Sequence, residues 1–579
     1  MRRIVEAAWR RVGDGDPRAC WPLAVLFALA FGHGLLVNVG NLGWGDWDQF
    51  TARSLEARRS WLEFGQPPFW SPYHCGGVAI TEDFQSRAWS PSFLFVLGFG
   101  IWWGNRLWML LALAVGFEGA RRLVRRMGAG AWGGLFAAFA IAGNGAVTSR
   151  MAIGHFGDVP YLFLPWWLLA FDSARRAPLR GALRAGLWGA LCYLEAGIYP
   201  VVYGSLILFA WACAASWSER SRRPLVGFAW TMLATLGLAM HVLWPSTFFT
   251  LRTLSRDVVP EMVPPSALVE AFFSTDLSWR RLVFPEQHWR WHEYATFVGP
   301  FFVLGLLVAH LRGDRRVVGW TLLAACFVAY GLGDFATWSP WTVLHEFPVF
   351  RSMRASGRAF VPAVLCLTIA VSLTLDRSRI GPWIACALAL NLALVSPAAL
   401  DDAFTIEVPR VQPDPQFTQR IDHQHFRLIF REHYSLMTVD ALRNHGSLSC
   451  YDPVLPEQHA RVLWPAASEV LLLGTPGHAR LTHWSPTRLR IDMSDVAAPG
   501  YVLVNQNHHS GWSATDGRPL TARYGVIAAP VRPGERGVEF VFRPPGFFVG
   551  ALIVLLTFVV LLVATRLRPG VPRDSPSAR

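Results

Sequence analysis

Lysine is absent from this chain: every one of its 53 basic residues is arginine. A P-loop sets a lysine on its nucleotide phosphates and a Schiff-base enzyme needs an amine, so both chemistries are excluded. No G-x-G-x-x-G lies between a strand and a helix, and no nucleotide cofactor is expected. Charge of either sign is scarce. Only 16% of the 579 residues are charged against 53% hydrophobic, and the mean hydropathy is positive, which is not the composition of a soluble globule. Cysteine is sparse too, eight residues with no C-x-x-C. Cys192, Cys213, Cys326, Cys366 and Cys386 fall in or beside apolar runs and read as small hydrophobes. Cys75 and Cys450 lie away from those runs, and spacing alone leaves open whether they pair.

What the chain has in abundance is apolar runs of membrane length. The first, Pro22 to Gly40, carries no charged residue and has about the ~20 residues a membrane helix needs. No A-x-A-like site follows it, so it is expected to stay in place as a signal anchor. About twelve spans are expected: 22–40, 104–121, 131–148, 159–174, 183–197, 199–216, 225–244, 297–312, 316–333, 358–375, 382–399 and 546–565, with a re-entrant or interfacial piece at 91–103. Arginines cluster at Arg2, Arg3, Arg10 and Arg11, then at 121–126, 175–184, 219–223, 312–316, 376–379 and 566–573. With twelve spans every cluster falls on one side, which the positive-inside rule makes the cytoplasm, with both termini there. The net charge of +13 is then a topology signal, and no nucleic-acid partner is expected.

Four large pieces fall outside: 41–90, 245–296, 334–357 and 400–545. The chain thus divides into a transmembrane domain (1–399) with its first outer loop at 41–90, an extracytoplasmic β-rich domain (400–545), and a last helix with its tail (546–579). The β-rich reading rests on LRIDM (489–493), YVLVNQ (501–506), ARYGVIAAPV (522–531) and GVEFVF (537–542), with a tight turn at Asp516-Gly517. Its more polar start, 401–460, reads as α/β. The second outer piece carries Asp257, Glu261, Asp276, Glu286, His288, His292 and Glu293. His288 and His292 have the spacing of a helical metal pair, but no H-E-x-x-H surrounds them, and Trp289 and Trp291 suit a membrane interface better. His508-His509 and His423-Gln-His425 fit either the β-domain surface or ligand contacts.

The first outer loop begins GWGDWDQF (43–50), which sets Asp46 and Asp48 just past the first span. It continues through GQPPFWSPY (65–73), Gly76-Gly77, TEDFQ (81–85) and Pro91. Downstream come GHFGDVPYLFLPWW (154–167), FPVFRSMRASGRAF (347–360) and NHHSGWSATDGRPL (507–520). In order and spacing over nearly the whole chain, these resemble the YfhO-like bacterial membrane proteins of the GT-C superfamily. Ser71 stands where that family usually has asparagine, and Val78-Ala79 replaces its proline. The resemblance implies a polytopic α-helical, GT-C-like membrane protein of the bacterial plasma membrane. It further implies a glycosyltransferase that moves sugar from a polyprenyl-phosphate donor to a cell-envelope glycan, glycolipid or protein.

Such transfer needs a base for the acceptor's proton, a hold on the sugar, and positive charge for the departing phosphate. Asp46 is expected as the base, with Asp48 as metal or hydroxyl ligand, or the two roles reversed. Glu82, Asp83 and Asp158 beside His155 read as further oxygen ligands or as solvated loop acids. Asp48, Glu82 and Asp83 would hold Mg²⁺ or Mn²⁺. Glu195, near the outer end of a span, is expected to face a cavity. Arg351, Arg354 and Arg358 are spaced to line one helical face, for the donor phosphate or for lipid headgroups at large. Trp70 and Tyr73 read as sugar-stacking platforms or as interfacial anchors. Two other classes take the same spans: a lipid or solute transporter, and a non-catalytic envelope sensor or assembly protein. A transporter would carry mid-membrane acids and a repeat of its two halves, and neither is visible.

Overall fold

The arginine-rich turns meet at one end of a helical bundle. Asp172 receives Arg126 (2.9 Å) and Arg175 (2.8 Å), and Arg175 also reaches Glu219 (2.6 Å). Arg377 lies 3.3 Å from Asp314, and Arg316 donates to the carbonyl of Met127. Asp376 closes the same end by accepting the amides of Trp132 and Gly133, both at 2.9 Å, which caps the helix Ala131–Ala142. The computed structural model describes residues 17–253, 261–285, 287–419, 437–446 and 468–566. Arg2, Arg3, Arg10, Arg11, Asp257, Glu286, His423, His425, Cys450 and the tail after Arg566 lie outside them.

Among the described residues six helices are long and apolar enough to cross a membrane: Ala131–Ala152, Ile198–Glu219, Arg223–Thr247, Ser356–Leu375, Gly381–Leu400 and Phe547–Arg566. Cys20–Phe31 and Pro300–Leu311 are apolar but shorter. The expected count of twelve is not reached on length and composition, for identifiable reasons. Pro178–Leu194 carries Arg180 and Arg184, and Arg315–Gly331 has 17 residues, two of them arginines at its start. Ser92–Arg126 breaks at Gly100 (φ 76°) and ends in four arginines. That break sets Ser92–Phe99 apart as a short helix, so most of the 91–103 stretch expected as an interfacial piece stands alone while 101–103 run on into the longer helix. The last helix presents Leu552, Leu555, Leu556 and Val560 outward, as a lipid-facing surface does.

Two four-stranded antiparallel sheets form the β-rich part. One runs in the order Thr521–Arg523, Val526–Val531, Gly500–Asn507, Val470–Leu473; the other His478–Ser485, Arg488–Ser494, Gly537–Phe542, Trp512–Ala514. Strict alternation turns Leu489, Ile491 and Met493 inward against Val538, Phe540 and Phe542, and Val502, Val504, Ile527 and Ala529 fill the core from the other sheet. The single strand expected over 522–531 is a hairpin instead, because Tyr524 (φ 54°) and Gly525 (φ 86°) make a left-handed two-residue turn. A turn does form at Asp516-Gly517, but it links strands of different sheets. The part of 401–460 that is described holds the helix Met437–Leu442 and a parallel pairing of Thr418–Gln419 with His445–Gly446.

The outer loop locks into this sandwich. Phe69, Trp70 and Ala79 belong to its hydrophobic core, and Trp70 Nε1 donates to Gln506 Oε1 at 2.9 Å. Asn507 donates to the carbonyls of Cys75 (2.6 Å) and Gly77 (3.0 Å). Cys75 is disulfide-bonded, and Cys450, its candidate partner, lies outside the described residues.

Candidate functional site

Two glycines let the first outer loop cross the turn that precedes His155. Gly45 and Gly154 both have positive φ, and a Cβ on either would lie 2.8 Å from the Ile153 carbonyl or 2.4 Å from the Trp47 amide. The backbones close to a 2.8 Å hydrogen bond from Asp46 N to Ile153 O. Asp46 precedes the helix Trp47–Leu62 without capping it, and its Oδ2 lies 3.5 Å from His155 Nε2. The other ring nitrogen, Nδ1, lies 3.2 Å from Asp158 Oδ2 and 3.9 Å from Glu293 Oε1.

Arginines close the cluster. Arg358 Nε donates to Glu293 Oε2 at 2.7 Å, its Nη2 reaches Oε1, and its Nη1 lies 3.8 Å from Asp158. Arg150 sits 3.6 Å from Asp158 and donates to the carbonyls of His292 and Glu293, which pins the second outer piece to this end of the bundle. Burial alone would raise the Asp158 and Glu293 carboxyls, but Arg358, with Arg150 or His155 beside it, holds both below the usual carboxylate range. Burial likewise works against charge on His155, yet Glu293, Asp158 and Asp46 outweigh it and raise its pKa. His292 stands at the edge of the same group, pushed far down by burial and then by the charge of His155. A narrow cavity lies alongside, lined by Arg150, His155, Asp158 and Tyr161 together with apolar Val147, Met151, Leu162 and Val361.

Of the sequence-expected residues, the structure brings together Asp46, His155, Asp158 and Arg358. Asp48 points elsewhere: its Oδ1 accepts the amide of Thr438 at 3.0 Å. Two residues apart at a helix start, the two aspartates cannot face the same way. Glu82 pairs with His509 (3.1 Å) and Asp83 with Arg53 (2.9 Å), so Asp48, Glu82 and Asp83 do not make a common ligand set. Glu195 is buried and accepts the Ser92 amide at 3.1 Å, in the neighbourhood of Arg87 rather than of His155. Trp70 and Tyr73 are buried as well; Tyr73 Oη donates to Asn444 Oδ1 (2.9 Å), and both rings serve the docking of the loop. The arginines share no helical face, because the helix Pro348–Arg351 ends before a 3₁₀ turn begins at Ser356. Arg351 is exposed, 3.8 Å from Glu346.

Glu293 and Arg150 complete the cluster and were not singled out from sequence. Glu293 was visible only as one of seven acids and histidines named in its outer piece, and the spacing of Arg150 from any acid gives no signal. His288 and His292 do not form the helical pair, since only Trp291–Glu293 is helical there and His288 N is bonded to Glu261 (3.1 Å).

Among the described residues, His155, His292 and Glu293 have ligand atoms within 4.8 Å of one another. Imidazole nitrogens favour a transition ion over Mg²⁺. Yet both oxygens of Glu293 are taken by Arg358, and the three carboxylates are already balanced by two guanidinium groups and the His155 ring. The residues therefore hold one another and fit a divalent ion poorly.

No family model and no curated protein matches the chain. Among solved structures it is similar to the arabinofuranosyltransferase AftD from Mycobacteria, with 15% identity over 67% of this chain and 27% of that one and a TM-score of 0.38. It is also similar to ArnT from Cupriavidus metallidurans bound to undecaprenyl phosphate, with 13% identity over 75% of this chain and 86% of that one and a TM-score of 0.43. The chain spans only about a quarter of the length of AftD. Likenesses this loose carry no weight in the functional reading.

Proposed function

We propose that the chain is a membrane glycosyltransferase of GT-C type, acting on the outer face of the plasma membrane. In this reading it moves a sugar from a polyprenyl-phosphate carrier to a cell-envelope glycan, glycolipid or protein. One observation carries the proposal: Asp46, His155, Asp158, Glu293 and Arg358, from four separate outer segments, meet in one buried cluster beside a cavity. Buried charge of this density is costly to assemble and is concentrated where chemistry is done. The resemblance of the outer loops to YfhO-like proteins supports the same reading.

Asp46 is the base. Its side chain is 12% exposed against 4% for Asp158 and for Glu293, so of the three carboxylates it is the one an acceptor reaches. As the acceptor oxygen attacks the anomeric carbon, its proton passes to Asp46. The bond from that carbon to the phosphate oxygen breaks, and the carrier phosphate departs with the electron pair. His155 orients Asp46, while Asp158 and Glu293 hold His155 in place. Arg358 neutralises the buried acids.

The test is gene deletion followed by mass analysis of envelope glycans and of polyprenyl-phosphate sugars. A missing glycan substituent with accumulated donor, restored by the wild-type gene and not by Asp46→Asn, is expected. Unchanged glycans and donors would overturn the proposal.

A further inference from the structure

In the sheet whose edge is Val470–Leu473, alternation along Gly500–Asn507 turns Val502 and Val504 into the sandwich core, so Leu503, Asn505 and Asn507 face the other way. Antiparallel pairing sets Leu471 against Leu503 and Val470 against Val504. Asn505 N then donates to Glu469 O at 3.0 Å, which puts Glu469 opposite Asn505. Side chains opposite one another in such a pair share a face, with Cβ atoms about 4.5–5.5 Å apart. Two other pieces of chain lie against this face. Gln419, from the parallel pairing with His445–Gly446, donates its amide N–H to Glu469 Oε1 at 2.8 Å. The turn at Cys75–Gly77 takes the Asn507 Nδ2 hydrogens on its carbonyls.

Four side-chain oxygens at this corner are buried without a hydrogen-bond partner among the described residues: Glu469 Oε2, Gln419 Oε1, Asn505 Oδ1 and Asn507 Oδ1. Asn505 is 0% exposed, Gln419 2% and Asn507 3%. Leaving one such oxygen unpaired is costly, and four at one corner point to a shared partner. Only two amide nitrogens, Asn505 Nδ2 and Gln419 Nε2, are unpartnered beside them, so acceptors outnumber donors. The one charged group is a carboxylate, and among the described residues no arginine or histidine pairs with it. An excess of oxygen with a single negative charge suits a hard cation. One carboxylate with neutral amide oxygens, and no nitrogen or sulfur, is a donor set for Ca²⁺; Mg²⁺ gives up its water too reluctantly, and transition ions prefer imidazole or thiolate.

We propose that this corner of the sandwich binds one Ca²⁺ ion through oxygens of Glu469, Asn505 and Asn507 from the sheet and of Gln419 from the strand beside it. Glu469 as a whole is only half-buried, which leaves the ion a way in. The ion ties three pieces together: the sandwich, the turn of the disulfide-bonded Cys75, and the segment that runs from Gln419 to the helix Met437–Leu442. Thr438 of that helix holds Asp48 through both its amide and its hydroxyl, so the tie extends to the helix that Asp46 precedes. The role is structural, and it stands whether or not the chain transfers sugar.

The test uses the full chain in uncharged detergent, stripped of metal with EDTA. Tb³⁺, excited through tryptophan, serves as a luminescent stand-in, and Ca²⁺ as its competitor. Ca²⁺ should displace Tb³⁺ from the wild-type protein and, added alone, raise its melting temperature. Half of that effect should come at about 0.1–1 mM, the range of sites with few charged ligands, and equal Mg²⁺ should do neither. Glu469→Gln removes the only charge and Asn505→Leu the most buried oxygen, and each should weaken Ca²⁺ binding about tenfold or more. Asn505→Asp adds a second carboxylate to the set and should tighten binding about tenfold, a gain that misfolding cannot produce. The inference would be overturned by a wild type with no calcium response, or by Mg²⁺ acting as well as Ca²⁺. Wild-type affinity in both weakening variants, or no gain in Asn505→Asp, would overturn it equally.

Discussion

His155 holds Asp46 with one ring nitrogen and Asp158 with the other, at 3.5 and 3.2 Å. Two acids 112 residues apart in sequence are thereby joined through a single imidazole, and their roles can be separated by substitution.

Asp46→Asn keeps the shape of the loop but removes the proton acceptor, so sugar transfer by the purified protein should fall by about 10²–10⁴. Asp48→Asn should cost less than about tenfold, because an amide oxygen still accepts the Thr438 N–H. Asp48→Ala, which orphans that amide, should lower stability by about 1–3 kcal/mol. Equal losses of transfer in the two asparagine variants would place both carboxylates in the chemistry.

Arg358→Gln leaves Glu293 and Asp158 buried with less compensation. The protein should lose about 3–5 kcal/mol of stability, read as a lower melting temperature in detergent, before any effect on donor use is considered. A variant that melts like wild type would show that Arg358 does not hold the acids.

Trp70→Ala removes a core ring of the sandwich together with its bond to Gln506. A loss of about 3–5 kcal/mol is expected, with faster limited proteolysis at the strands 500–542. Unchanged proteolysis would mean that the loop is not what secures the sandwich.

Glu469 supplies a pH signature. Burial pushes its carboxyl up to about 7, against the backbone hydrogen bond from Gln419 that lowers it. Between pH 4.5 and 7 the unfolded chain loses this proton while the folded chain keeps it. The folded state then binds more protons, so stability falls as pH rises, by up to about 3 kcal/mol. Glu469→Gln should flatten that slope in melting curves taken from pH 5 to 8, and an unaltered slope would assign it to other groups.

Reporter fusions after residues 90, 290, 350 and 480 should read outside, and those after 125, 220, 314 and 570 inside. A cytoplasmic signal at 480 would move the sandwich away from the cluster.

The helices were legible as apolar runs, and the inward faces of the sandwich through a period of 2: Leu489, Ile491 and Met493 fall where alternation places them. The cluster was legible in part. Asp46, His155, Asp158 and Arg358 each stood out as charge at the edge of an apolar run, which is all that local pattern reveals. That Asp48 turns away, that Arg358 serves Glu293, and that Trp70 and Tyr73 are buried all depend on contacts across 65 to 436 residues. The most local signal misread was the arginine spacing, since Arg351, Arg354 and Arg358 repeat at helical intervals across a break between Ser352 and Ala355.

Trp70 and Gln506 are 436 residues apart, and the loop that begins with Asp46 is finished only when its far partner is in place. At about 5–20 residues per second of synthesis, roughly 20 to 90 s pass between the making of one and of the other. During that interval the loop stands with Phe69 and Trp70 uncovered by the sandwich core, a ready substrate for chaperones and proteases. The end of the bundle that carries the charged cluster is thus completed by the sandwich, which is made late. A chain that stalls before the sandwich leaves a visible apolar flag of its own incompleteness.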